Sequence, residues 1–527
     1  MSTAGVVSPE TQVLNGPVAV STMNLFLSHL KYGPSNCYSG IGLSGVIAEG
    51  WRNTCVIGNN VYNLGNNKYL PSAYGLNEAS ADEVVDDLAT LLTSGRLSPD
   101  NRGIIKEAFS DTLKSGKDEF EAMINAQQLI ALSPEFHTTN LVQKTGEDRS
   151  SPPTLNATGY PYKAVIYVML SGGMDSWNVL APESCSGKNA AGQTVDKQYL
   201  EQRDELAFDR SKGEFDLTIE PNTEQPCEKF AINKELKYLR DLYLEGDALF
   251  LANTGVVNQN GMTIKNFNFK TRSRLFDHRG MQREAKRVDP YDTYAGTGVL
   301  GRAKDVLALK GHKVDAISIN IGTVTLVGTI GKSSAVSVVN SGGVKVFGGR
   351  PGHERYFKLE EYAKKVNSET GSFSSVFGET WSDQFLKGID EGSVLNKHLS
   401  EVTADKSIWN GRDGSLYDKF NVIAKLMKTR KDRNADRDVF YTDQGGYDHH
   451  SEMKKNLGQN LNTLDKNLKR LVEDLKATDL WNNVTIVVTS EFARTITPNS
   501  VSVPVCPSFF FFILRMKSHN CLLLICL

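Results

Sequence analysis

Neither sign of charge is in excess in this sequence: 59 Lys and Arg face 61 Asp and Glu over 527 residues, a net charge of -2. That balance removes any global electrostatic reason to expect nucleic acid or an anionic membrane as partner. Long hydrophobic runs are also missing. The most apolar blocks, residues 509–514 and 521–527, are split by a polar stretch, and neither approaches the roughly 20 apolar residues of a membrane span. Cysteine is scarce, with Cys37, Cys55, Cys185, Cys227, Cys506, Cys521 and Cys526 scattered along the chain. No pair has CxxC spacing, which speaks against a zinc ribbon or dithiol motif and leaves the compartment open. Residues 1–21 lack the basic start and apolar core of a signal peptide, so localisation is not specified.

What is present is the balance of a soluble globular protein, 40% hydrophobic and 23% charged, with length enough for two domains. Residues 1–145 read as a mainly helical segment. Val84, Val85, Leu88, Leu91 and Leu92 recur at helical spacing, Ser98-Pro-Asp100 opens a second helix, and residues 120–132 form a third. The polar, proline-containing residues 146–161 read as a linker. From 162 to 500 short apolar runs alternate with helical patterns. Strands are expected at 163–170, 248–252, 314–319, 324–327, 438–441 and 484–489, and helices at 232–244 and 453–475. This alternation predicts an α/β domain with a mostly parallel sheet covered by helices on both faces, in which ligands sit beyond the C-terminal strand ends.

Three loops at such ends carry chemistry. The first, Ser171-Gly-Gly-Met-Asp-Ser176, leaves Asp175 at the mouth of the sheet as a hard ligand for a divalent cation. The same letters fit the phosphate-binding loop of ATP pyrophosphatases, although Pro182 and the polar residues 183–188 cut short the helix such a loop opens. A plain tight turn is the third reading. The second loop, Gly445-Gly-Tyr-Asp-His-His450, crowds carboxylate and imidazole groups suited to zinc or a similar ion. Asp448 and His450, two apart, can face one cation while His449 points away; alternatively Asp448 or Ser451 only caps the following helix. The third, Ser490-Glu-Phe-Ala-Arg494, offers Glu491 as ligand or base and Arg494 as a bidentate clamp for an anionic group, or simply a surface ion pair.

Taken together, Gly-Gly-x-Asp-x-x-Asn-x-x-x-Pro, Gly-Gly-Tyr-Asp-x-His and Ser-Glu-Phe-x-Arg resemble the family called domain of unknown function 1501 over residues 160–494. The stretch from Lys234 to Arg240 and the turn from Thr297 to Arg302 agree with it. Residues 91–98 and 132–136 resemble the tail of a second uncharacterised family, domain of unknown function 1800, and equally an ordinary helical bundle.

The 1501 resemblance implies the fold of alkaline phosphatases and sulfatases, and with it a metal-dependent hydrolase acting on a phosphate or sulfate ester of a small molecule or polymer. It implies Asp175, Asp448 and His450 as ligands of zinc or a similar divalent metal, with His278 as a further ligand or a helix cap, and Glu491 where the superfamily has aspartate. Thr271 and Ser273 lie where the superfamily places its nucleophile. No Cys/Ser-x-Pro-x-Arg sequence occurs, which removes the formylglycine chemistry of sulfatases. A non-catalytic binding or surface protein with a degenerate site is the competing expectation. Residues 501–527 do not follow the family pattern and resemble translation of a non-coding stretch, so the C-terminal part of the sheet is expected to be missing.

Overall fold

The structure is a computed structural model that describes residues 16–32, 81–147, 159–208, 213–214, 217–221, 224–254, 266, 277–287, 298–319, 324–326, 328, 336–340, 343–344, 346–348, 357–371, 374–497 and 509–514. The chain divides into two compact units, Met1–Thr154 with Val344–Lys397, and Leu155–Gly343 with His398–Leu527. The segment Val344–Lys397, read from sequence as part of the sheet domain, thus belongs with the helical unit.

In the helical unit the expected helices form at Ala81–Thr93, Pro99–Lys114 and Glu119–Leu132, beside Gly16–Tyr32 and Leu359–Asn367. Ser98 and Asp118 cap two of them by accepting from the amides of Asn101 and Glu121. Their apolar faces close one core around Val84, Leu88, Ile105, Phe109, Leu129 and Phe385.

The sheet unit runs β1 (Lys163–Leu170), β2 (Leu180–Cys185), α1 (Val195–Arg203), β3 (Leu217–Ile219), β4 (Cys227–Ile232), α2 (Lys237–Leu244), β5 (Ala248–Thr254), α3 (His278–Lys286), α4 (Val299–Leu309), β6 (Val314–Ile319), β7 (Val336–Asn340), β8 (Gly343–Val344), α5 (Gly414–Lys428), β9 (Arg437–Gln444), α6 (Met453–Ala477), β10 (Val484–Ser490) and β11 (Phe509–Leu514). Eight strands form the main sheet in the order β5-β11-β10-β1-β9-β6-β7-β8. Central β1 is parallel to both β9 and β10, with Leu170 opposite Gln444 on one side and Ser490 on the other. The three chemistry-bearing loops therefore leave neighbouring strands at one rim.

The apolar runs become these strands because both faces are covered. Tyr167, Met169, Val439 and Tyr441 pack with Leu300 of α4 and Leu326. The buried leucines 457, 461, 464, 468 and 471 line one side of α6.

Three local expectations are corrected. Ile232 ends β4, and the helix expected from that residue begins only at Lys237. The strand expected at 324–327 is a 3-10 turn, Val324–Leu326. Residues Phe509–Leu514, expected to lie outside the sheet, form β11 antiparallel to β10 and β5; an unbroken β-prone run can occupy such a gap. A separate antiparallel sheet, β2-β4-β3, went unread in the sequence, as did the disulfide Cys185–Cys227 that joins its paired strands β2 and β4.

Candidate functional site

The site begins with two glycine turns that touch. Gly172 (φ 129°) and Gly173 (φ 67°) both take the backbone region that side chains disfavour. A Cβ on Gly172 would overlap the backbone of Tyr447 and Asp448, and one on Gly173 would strike the Phe492 ring. Ser171 N–H donates to Gln444 O (2.8 Å) and Tyr447 N–H donates to Ser171 O (3.1 Å), zipping the loops after β1 and β9 together.

Onto this rim β10 delivers Glu491, fully buried. Its Oε1 accepts from Gly172 N (2.8 Å), Gln282 Nε2 (3.2 Å) and His278 Nδ1 (2.9 Å), and its Oε2 accepts from Ser490 Oγ (3.2 Å). His278 is the first residue of α3, whose cap is Asp277, so it is a site residue and not the cap. With Nδ1–H given to the carboxylate, the neutral ring carries its lone pair on Nε2. That nitrogen lies 3.5 Å from Asp448 Oδ2, while His450 Nε2 lies 2.8 Å from Asp448 Oδ1.

Arg494 completes the cluster. Its Nε donates to Gly173 O (2.8 Å), and Nη2 donates to Gly172 O (3.0 Å) and to Asp448 Oδ1. Burial pushes the Asp448 carboxyl up, but the hydrogen bond and charge of Arg494, with His278 and His450, bring it below its ordinary 3.8. His449 turns aside to Asn460 (3.2 Å), and its ring is held below its ordinary value of 6.5, chiefly by burial. Neither Asp448 nor Ser451 caps α6; that position is Glu452, with no side-chain cap bond.

Asp175 has a different setting. It is 2% exposed, and its Oδ2 accepts from Arg203 Nη2 and from Asn178 Nδ2 (3.1 Å). Burial pushes its carboxyl up, against the pull of Arg203. The phosphate-loop reading of this turn fails because the chain passes from it into a three-residue 3-10 turn, Ser176–Asn178, and then strand β2, so the loop does not open an α-helix.

The sequence candidates Asp448, His450, His278, Glu491 and Arg494 thus come together, while Asp175 pairs with Arg203. Thr271 and Ser273 lie outside the described residues. Among the described residues no group of three or more His, Cys, Asp or Glu is placed so that it could hold a metal ion. Arg494 Nη2 lies on Asp448 Oδ1. The donor types nevertheless fit a divalent cation: two imidazoles present Nε2 to one carboxylate, and one imidazole is backed by a buried acid. Sequence reasoning missed Arg203, Gln282 and Trp177. Arg203 ends a polar helix and reads as solvated, and only the aromatic beside Asp175 hinted that the loop is packed.

Residues 162–502 match the family described as "Protein of unknown function (DUF1501)". None of the curated proteins matches the chain. Among solved structures, the lipoteichoic acid synthase LtaP from Listeria monocytogenes is similar at 10% identity with a TM-score of 0.29, over 71% of this chain and 70% of that one.

Proposed function

We propose that this chain, which belongs to the DUF1501 family, is a metal-dependent hydrolase-like protein acting on a phosphate or sulfate ester, with Asp448, His278 and His450 as the ligands of a zinc-like divalent ion. The observation that carries the reading is the line Glu491–His278–Asp448. A fully buried carboxylate fixes the imidazole tautomer by taking Nδ1–H at 2.9 Å and leaves Nε2 turned to a second, half-exposed carboxylate. Such a carboxylate–histidine pairing orients a metal ligand and raises its basicity. On this reading Glu491 serves as the support of a ligand, the role its contact with His278 favours over ligand or base.

When bound, the cation would act as a Lewis acid on an ester oxygen and lower the pKa of a water. The chain's own groups do the rest. Arg494 holds the carbonyls of Gly172 and Gly173, keeping the two loops closed, and keeps positive charge at the rim where an ester anion would arrive. Gln282 and the Gly172 amide restrain Glu491, so the imidazole cannot turn.

The test is elemental analysis of the full chain after dialysis against zinc and removal of excess, with turnover of aryl phosphate and aryl sulfate. Bound zinc in wild type and none in Asp448→Asn supports the reading. A second reading, a non-catalytic binding protein, draws on the guanidinium groups that lie against both loop aspartates. A wild-type chain without zinc or turnover would leave that reading in place.

A further inference from the structure

The two loops repeat one pattern, Gly172-Gly-Met-Asp175 and Gly445-Gly-Tyr-Asp448, at the ends of adjacent parallel strands. Two aspartates so placed invite a two-cation site. We infer instead that the site holds one divalent ion, and that Asp175 is not a ligand: the guanidinium of Arg203 stands where a second cation would, and the Asp175–Arg203 pair positions Arg494. This rests on the metal reading above.

Four observations carry it. Asp175 and Arg203 are 2% and 1% exposed, so the pair is closed to solvent. Arg203 is committed in several directions, donating from Nη1 to Thr495 O (2.9 Å) and Ile496 O (3.3 Å) as well as to Asp175. Its departure would strand a buried carboxylate, one buried carbonyl and one part-buried carbonyl. The imidazoles of the rim are used elsewhere, His278 and His450 on Asp448 and His449 on Asn460. Asp175 Oδ1 is buried while Oδ2 is taken by Arg203 and Asn178, which among the described residues leaves a cation one oxygen of this carboxylate and none of the rim imidazoles. That is too few donors for a structural or catalytic zinc, which takes at least three.

The same contacts give the pair its work. Arg203 fixes the backbone at residues 495 and 496, Trp177 Nε1 donates to Arg494 O (2.8 Å), and Arg494 is thereby held in reach of Gly172, Gly173 and Asp448. Asp175 acts through Arg203 and Arg494 and is a positioning residue.

Zinc per chain, measured on the full-length wild type by elemental analysis with parallel calorimetric titration, is expected to be one. Asp175→Asn should also bind one, and Asp448→Asn none. Two ions in wild type, or loss of zinc in Asp175→Asn with its fold intact, would overturn the single-ion site while leaving the metal reading standing; none in wild type would end both. The wild-type ratio decides even if Asp175→Asn does not fold. For positioning, the Arg494 Nε–H donated to Gly173 should be protected from exchange in wild type, lose that protection in Arg203→Gln and regain part of it in Arg203→Lys. Unchanged protection in Arg203→Gln would refute the positioning role.

Discussion

Asp175 and Asp448 follow the same Gly-Gly-x-Asp pattern after neighbouring strands, yet the first is 2% exposed and the second keeps 44% of its side chain in solvent. The difference comes from what each loop meets. The first runs under Arg203 of α1 and the exit of β10, where Trp177 and Arg203 hold the backbone of residues 494–496. The second stops at the rim, where His278 and His450 approach its carboxylate from the open side. The same Gly-Gly-x-Asp pattern thus yields a buried internal ion pair in one place and a half-exposed cluster of charged and imidazole groups in the other. Packing partners, not the loop motif, assign the role.

The largest effects should separate the two loops by stability. Removing one member of a buried ion pair leaves the other charged and unsolvated, so Arg203→Ala or Asp175→Ala should lower unfolding free energy by about 3–5 kcal/mol. Asp448→Ala, which breaks a half-exposed pair, should cost about 1 kcal/mol or less. Denaturant melts of the three variants check this, and equal losses would break the comparison.

Next come the glycines. Gly172→Ala combines φ 129° with overlap on the backbone of Asp448 and should cost roughly 1–3 kcal/mol and weaken metal binding. A Cβ at Gly445 meets nothing within 4 Å, so Gly445→Ala should stay within about 0.5 kcal/mol of wild type.

Glu491→Gln keeps the shape of the His278 support but removes its charge, and zinc affinity should fall about 10–100-fold by calorimetry. An unchanged affinity would mean His278 is held by something else.

The smallest effect is a difference of sign. In the metal-free chain Asp175 should titrate above 3.8 and Asp448 below it, read by carboxyl carbon NMR. Because the folded value of Asp448 is depressed, its contribution to stability is present above its unfolded pKa and fades as pH falls through the folded one. Asp448→Asn should flatten that acid limb.

Much of the frame was legible in the sequence because periodicity and glycine punctuation are local signals. The runs at 163–170, 314–319 and 484–489 were apolar enough to read as buried strands, and a carboxylate just past a strand end could be placed at the rim by topology alone. The gathering of Asp448, His450, Glu491 and Arg494 was legible for the same reason. The misread parts depended on distant partners. Arg203 sits in a polar helix whose burial is created by residues 495 and 496, almost three hundred positions later. Cys185 and Cys227 are 42 apart and meet only because β2 pairs with β4. Ile232 fitted a helical face as well as a strand, an ambiguity that short apolar runs carry without their neighbours.

X-ray absorption at the zinc edge of the loaded full-length chain looks directly at what Glu491 is held to orient. Two imidazole nitrogens together with carboxylate oxygen bound directly to the metal, one nitrogen disappearing in His278→Ala, is the predicted result. A zinc environment without imidazole, or one unaltered by His278→Ala, would contradict it.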